Sequence, residues 1–120
     1  MAVTTNPQDE TALVNTVFST GDWDVAWVPI NVSSPDQLVP FLSGPATPEG
    51  NNFASIDNAD YTSGVADAMK QNGTAGCSTW LKAESALVRD ADVIPFANQN
   101  TSFFGSHATF AVVDLSLIHI

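Results

Sequence analysis

The stretch Gly21-Asp22-Trp23-Asp24-Val25-Ala26-Trp27-Val28-Pro29-Ile30 decides how the chain is read. It is short, mostly apolar, opens after a glycine and is rich in the aromatic and β-branched residues that suit a pleated surface. Apolar residues occupy both alternating sets of positions, which predicts a strand buried on both faces, as in a parallel sheet. The segment before it predicts a helix. Asn6 offers a cap, Pro7 a first helical position and Asp9 an acid for the first turn. Leu13, Val14, Val17 and Phe18 then return at helical spacing, and Gly21 stops the pattern. A helix over 7–20 followed by a strand over 22–30 predicts an α/β layer.

Working outward, Ser34 and Pro35 open a short helix through Leu42. Residues 43–52, SGPATPEGNN, carry glycine and proline breaks without periodicity and predict a long loop, which in a compact domain is usually functional. Asp57 or Asn58 caps a predicted helix over 59–71, whose apolar face is Tyr61, Val65, Ala68 and Met69. Asn72-Gly73 ends it. A further helix runs from about Ser78 to Asp92, with Trp80, Ala83, Glu84, Leu87 and Val88 on one face. Val93–Ala97 and His107–Val113 predict two more short strands, the first paired on one side only at Pro95. The expected architecture is therefore a short mixed sheet with flanking helices.

Composition excludes several classes. The chain has 120 residues, 44% of them hydrophobic and 13% charged, a globular balance with room for one small core. Thirteen acidic side chains face three basic ones, for a net charge of −10. A surface of that sign repels phosphate backbones and anionic lipid heads, so no nucleic-acid partner is expected. No apolar run reaches the ~18 residues of a membrane span. Residues 1–10 lack the basic start and apolar stretch of a signal peptide. The single cysteine, Cys77, is expected either as a small buried side chain or as half of a disulfide whose partner lies elsewhere. With no His or Cys at ligand spacing near it, no metal site and no cofactor are expected.

Catalysis is weighed on Ser106, His107 and Asp114. Neighbours on a strand point to opposite faces and no nucleophile elbow surrounds them, so the expectation is that the protein is not an enzyme. Asp22 and Asp24 would share one face of the strand, in solvent or as caps rather than as an acid pair. Asn31, Asn72 and Asn100 head Asn-x-Ser/Thr sequons, which arise often by chance. The informative cluster is Trp23, Trp27, Pro29, Asn31 and Ser33, where the predicted strand runs out into a polar loop. In open α/β sheets ligands sit at the carboxyl ends of strands. There Trp27 supplies either an apolar wall or a core side chain, Trp23 a core side chain, and Asn31 and Ser33 directional polar contacts. The candidate ligand-binding residues are accordingly Trp27, Asn31 and Ser33.

Five pieces, Gly21–Trp27, Pro40–Gly44, Asn58–Tyr61, Trp80–Leu87 and Asp92–Phe96, resemble in order and spacing the family 5 extracellular solute-binding proteins, the peptide- and nickel-type receptors of ABC importers, in wording most like actinobacterial members. The resemblance covers nearly the whole chain up to Asp114. It implies the C-terminal lobe of a two-lobed periplasmic-binding-protein type II fold, with 1–114 as the lobe end returning toward the hinge. It also implies an extracellular or periplasmic, cell-surface-associated monomer, anchored by a lipid on sequence outside this chain, that captures a small solute and passes it to an ABC permease. A partner for Cys77 would then lie upstream. Residues 115–120, LSLIHI, resemble the translation of a transposon-derived sequencing adaptor and are expected to be an artefact of assembly. Peptide-binding members carry an Asp three residues after the Trp that ends this strand; here that position is Ile30, beside Asn31, and Asp36 is the nearest acid. A neutral residue does not replace an ion pair to an ammonium group, so a glycan-like ligand stands beside a peptide. Two rivals stay open: a cell-envelope lipoprotein with the same fold but no transport role, and a secreted hydrolase domain.

Overall fold

A computed structural model describes residues 2–97 and 106–107. Among these residues the chain is helical and contains no strand and no sheet. Among the described residues one isolated parallel bridge joins Ala46 and Asn52. The expected α/β fold with a short mixed sheet is thus overturned. The run 22–30, the centre of that expectation, is irregular, with a bend at Asp24 and Val25. The Trp23 N–H folds back onto the Gly21 carbonyl at 3.0 Å. Val25 is 88% exposed and Ile30 39%. Residues 93–97 are likewise irregular, with Ile94 and Phe96 on the surface. A strand exists only where a neighbouring backbone takes up its N–H and C=O groups. β-forming side chains with no such neighbour among the described residues leave the chain without a ladder. Of the third predicted strand, 107–113, all but His107 lies outside the described residues.

The helices are α1 (Glu10–Asn15), α2 (Val39–Leu42), α3 (Ala59–Ala68) and α4 (Cys77–Arg89). Helix α1 begins three residues later than expected, because Asp9 is the cap rather than Asn6: its carboxylate accepts from the Ala12 N–H at 2.8 Å. The helix widens into a π-helical turn over Thr16–Thr20, where the Gly21 N–H bonds to the Thr16 carbonyl at 2.9 Å. Gly21 closes it at φ +65°, as the sequence predicts. The widening alters the expected face: Val17 is buried, whereas Val14 is exposed. The short helix after Ser34 divides into a 3-10 turn (Pro35–Leu38) and α2.

Helix α3 starts at Asn58, whose side-chain oxygen accepts from the Tyr61 N–H at 3.0 Å. Its buried face is Tyr61, Val65 and Ala68; Met69, at the C-cap, is 62% exposed. A 3-10 turn (Gly73–Gly76) leads into α4, which buries Ala83, Ala86 and Leu87. The buried stripe runs toward Ala86 rather than Val88, which is half exposed. The cause is the close approach of α3 and α4 through small residues: a Cβ placed on Gly64 would lie 2.7 Å from the Ala83 Cβ. Helix α4 ends in a turn with Ala91 at φ +61°, its N–H on the Val88 carbonyl at 3.2 Å and the Asp92 N–H on that of Leu87 at 2.9 Å. That is a Schellman arrangement.

The described residues divide into two compact units. The first holds the residues up to Val32 and Gln37–Asp57; the second holds Ser33–Asp36 and the residues from Asn58 onward. The first unit buries Val17, Leu42 and Ile56, and beside them lies a half-buried aromatic cluster: Phe18, Phe41 and Phe53 meet edge-on or tilted with ring centres 5.0–6.5 Å apart, and Trp23 lies 6.3 Å from Phe53. Such geometry adds to the burial of ring area. The predicted loop 43–52 belongs to this unit and is held by one buried side chain, Asn52. Its amide donates to the carbonyls of Gly44 at 3.1 Å and Ile56 at 2.9 Å, and its oxygen accepts from the Ile56 N–H at 2.9 Å. The core of the second unit is the α3–α4 pair.

Candidate functional site

The predicted ligand contacts, Trp27, Asn31 and Ser33, lie on the irregular stretch after Gly21. Trp27 and Asn31 belong to the first unit and Ser33 to the second. Trp27 is 58% exposed, which removes the alternative of a core side chain. Asn31 and Ser33 are exposed as well. Trp23, expected as a core side chain, is half-buried beside Phe53. The geometric reason offered for the cluster, the carboxyl end of a buried strand, falls with the strand. What stands is an indole face on the surface, four residues before a carboxamide, with the exposed apolar Ile30 between them.

The other expected sites resolve as follows. Asp22 and Asp24 are exposed, and the argument that a strand puts them on one face no longer holds. Ser106 Oγ lies 3.0 Å from His107 Nδ1, both exposed, while Asp114 falls outside the described residues. That contact joins sequence neighbours that are both exposed. Cys77 is free and exposed at the first position of α4, so the buried alternative is corrected. Asn31 and Asn72 are exposed, and Asn100 lies outside the described residues.

Sequence reasoning missed an open groove along α3 and α4, lined by Asp60, Asp67, Lys70, Lys82 and Arg89 and by hydroxyl and amide side chains between them. Lys70 pairs with Asp67 at 2.8 Å and Arg89 with Asp60 at 2.9 Å. Arg89 also binds Asp90 through both carboxylate oxygens. This contact is the main reason the Asp90 carboxyl lies below its ordinary range. Asn58 ties that corner together by donating to Asp90 at 3.0 Å and Asp92 at 2.8 Å. The signal was present in the sequence: only three cations exist, and all three fall within or just after the two predicted helices.

On the buried face of α3, burial pushes the Tyr61 phenol up to about 12, with the Glu84 charge adding to the shift. Burial also pushes the half-buried Glu84 carboxyl up. For the phenol the neutral form is favoured in the folded chain. Its contribution is therefore intact below pH 10 and is lost between pH 10 and about 12, where only the unfolded chain ionises. At about 1.4 kcal/mol per pKa unit this removes roughly 2–3 kcal/mol. Tyr61 is the single tyrosine in the chain, so tyrosinate absorption reports it alone. We expect a spectrophotometric midpoint near 12 under native conditions and near 10 in denaturant; equal midpoints would contradict the burial.

Comparison with known proteins adds no relative: no family model, no curated protein and no solved structure matches the chain.

Proposed function

We propose that the chain is part of an extracytoplasmic receptor that captures a small solute, a peptide or a glycan-like molecule, for an ABC importer, without catalysing a reaction on it. The reading rests on the collinear resemblance of five segments to the family 5 solute-binding proteins. The observation that carries it to a site is the exposure of Trp27. An indole more than half exposed presents apolar ring area at the surface, and Asn31, four residues on and also exposed, offers a carboxamide for directional hydrogen bonds. A solute that touches this wall and a second wall of the receptor only in the closed state favours closure by its differential affinity. Ile30 in place of an acid removes the expected grip on a peptide's ammonium group, which favours a ligand recognised through hydroxyls and rings. The receptor works as a lipid-anchored monomer at the cell surface and hands its solute to a permease.

The test is titration of the intact receptor with a panel of short peptides and soluble oligosaccharides, followed by Trp27→Ala and Asn31→Ala. Each substitution is expected to weaken binding of the active compound about tenfold, roughly the 1.4 kcal/mol that one good contact supplies. Unchanged affinity in both variants would remove the site assignment.

A further inference from the structure

The α3–α4 groove gathers every cation of the chain. The chain has a net charge of −10, and its three cations, Lys70, Lys82 and Arg89, all line this one groove. Asp60 and Asp67 line the groove with them and Asp90 adds a third carboxylate at Arg89, so the charges there balance in number, and Lys82 is the cation that no carboxylate pairs among the described residues.

Helix electrostatics accounts for two of the three cations. Lys70 follows the C-terminus of α3 and Arg89 is the last residue of α4, where the helix dipole favours positive charge. Each also has a carboxylate partner. Lys82 has neither explanation. It stands in the middle of the 13-residue α4 and makes no ion pair among the described residues. Lys82 and Arg89 are seven residues apart, two helical turns, and so share a face of α4. Thr79, one turn before Lys82, also lines the groove, and its oxygen accepts from Gln71 Nε2 at 2.9 Å. A threonine hydroxyl that already accepts keeps its proton to donate. An ammonium and an O–H donor on one helix face form a recognition set for an oxyanion.

We propose that the α3–α4 groove binds a small multivalent oxyanion, a polycarboxylate or a phosphate ester, with Lys82 as the primary charge, Thr79 as a hydroxyl donor and Arg89 recruited from its exposed pairs. The site lies within the second unit and does not depend on the Trp27 reading. Exposed pairs such as Lys70–Asp67 and Arg89–Asp60 are weak and screened, so a dianion competes with the carboxylates for those cations at low ionic strength.

The 120-residue chain, isotope-labelled, is titrated at low salt with citrate and separately with pyrophosphate, with chloride at matched ionic strength as the control, while amide shifts are followed by NMR. We expect saturable shifts confined to residues 60–71 and 79–89 in at least one arm, and the stronger arm identifies the carboxylate or the phosphate source. Lys82→Gln, an exposed substitution that leaves the fold intact, is expected to weaken binding at least fivefold, and Thr79→Val about threefold. Shifts that match the chloride control, or the same affinity in Lys82→Gln as in the parent chain, overturn the proposal.

Discussion

Asn52→Leu is expected to unlatch the 44–56 segment. Leucine matches asparagine in size but makes none of its three hydrogen bonds, and it leaves the carbonyls of Gly44 and Ile56 and the Ile56 N–H to find other partners. Asn52 is 1% exposed, so water does not replace those bonds without opening the structure. A buried polar group left without a partner costs roughly 1–3 kcal/mol. With partial relaxation of three such groups, a loss of about 3 kcal/mol from the first unit is expected. Amide exchange at Ile56 reads it directly and should accelerate about 100-fold, at 1.4 kcal/mol per factor of ten. Asn52→Asp keeps the acceptor for Ile56 but sets a buried carboxylate oxygen against the Gly44 and Ile56 carbonyls, and should cost at least as much at neutral pH. If Ile56 exchanges at the parent rate in Asn52→Leu, the latch has been misassigned.

Gly64→Val is the second large effect. The Cβ of any residue at 64 would meet Ala83 at 2.7 Å from its Cβ and 3.1 Å from its Cα, atoms fixed to the backbone of α4. No rotamer relieves that contact, so the helices must separate along a line that also carries Val65, Ala68 and Ala86. Overpacking of this kind typically costs 1–3 kcal/mol. Valine does not offset this through helix propensity as fully as alanine, which gains about 1 kcal/mol over glycine. A loss of roughly 2–3 kcal/mol is expected for valine and about half that for alanine, measured by denaturant unfolding followed at the helical band. Ala83→Gly in the same chain removes the obstructing methyl and should recover part of the loss. Wild-type stability in Gly64→Val would show that α3 and α4 do not meet at this point.

The outcomes for particular residues separate local from non-local information. Asn58 was legible as a cap because capping is decided within three residues, and its bond to Tyr61 needs only the backbone of its own first turn. Gly21 was legible as a helix stop for the same reason. Tyr61, Val65 and Ala68 were legible because the 3.6-residue period survives in any helix that buries one face. The strands over 22–30 and 93–97 were misread because Val, Ile and Trp say only that a segment would suit a sheet, not that a partner strand lies beside it. With the strand went the geometric case for Trp27, Asn31 and Ser33 as one site. The groove was overlooked because three scattered cations mean little until two helices bring Lys70, Lys82 and Arg89 to one surface.

By itself the sequence determined the helices, the stop at Gly21, the cap of α3 to within one residue and the faces that α3 and, in part, α4 bury, since these follow from hydrogen bonds and side-chain spacing within a few residues. Only the tertiary structure decided that no strand forms among the described residues, that Trp27 is on the surface, that Asn52 latches the loop, and that the cations share a groove. The Asn52 latch spans only four to eight residues but needs an irregular loop path that no periodicity marks; the others depend on groups distant in the chain meeting or failing to meet, which no local window contains.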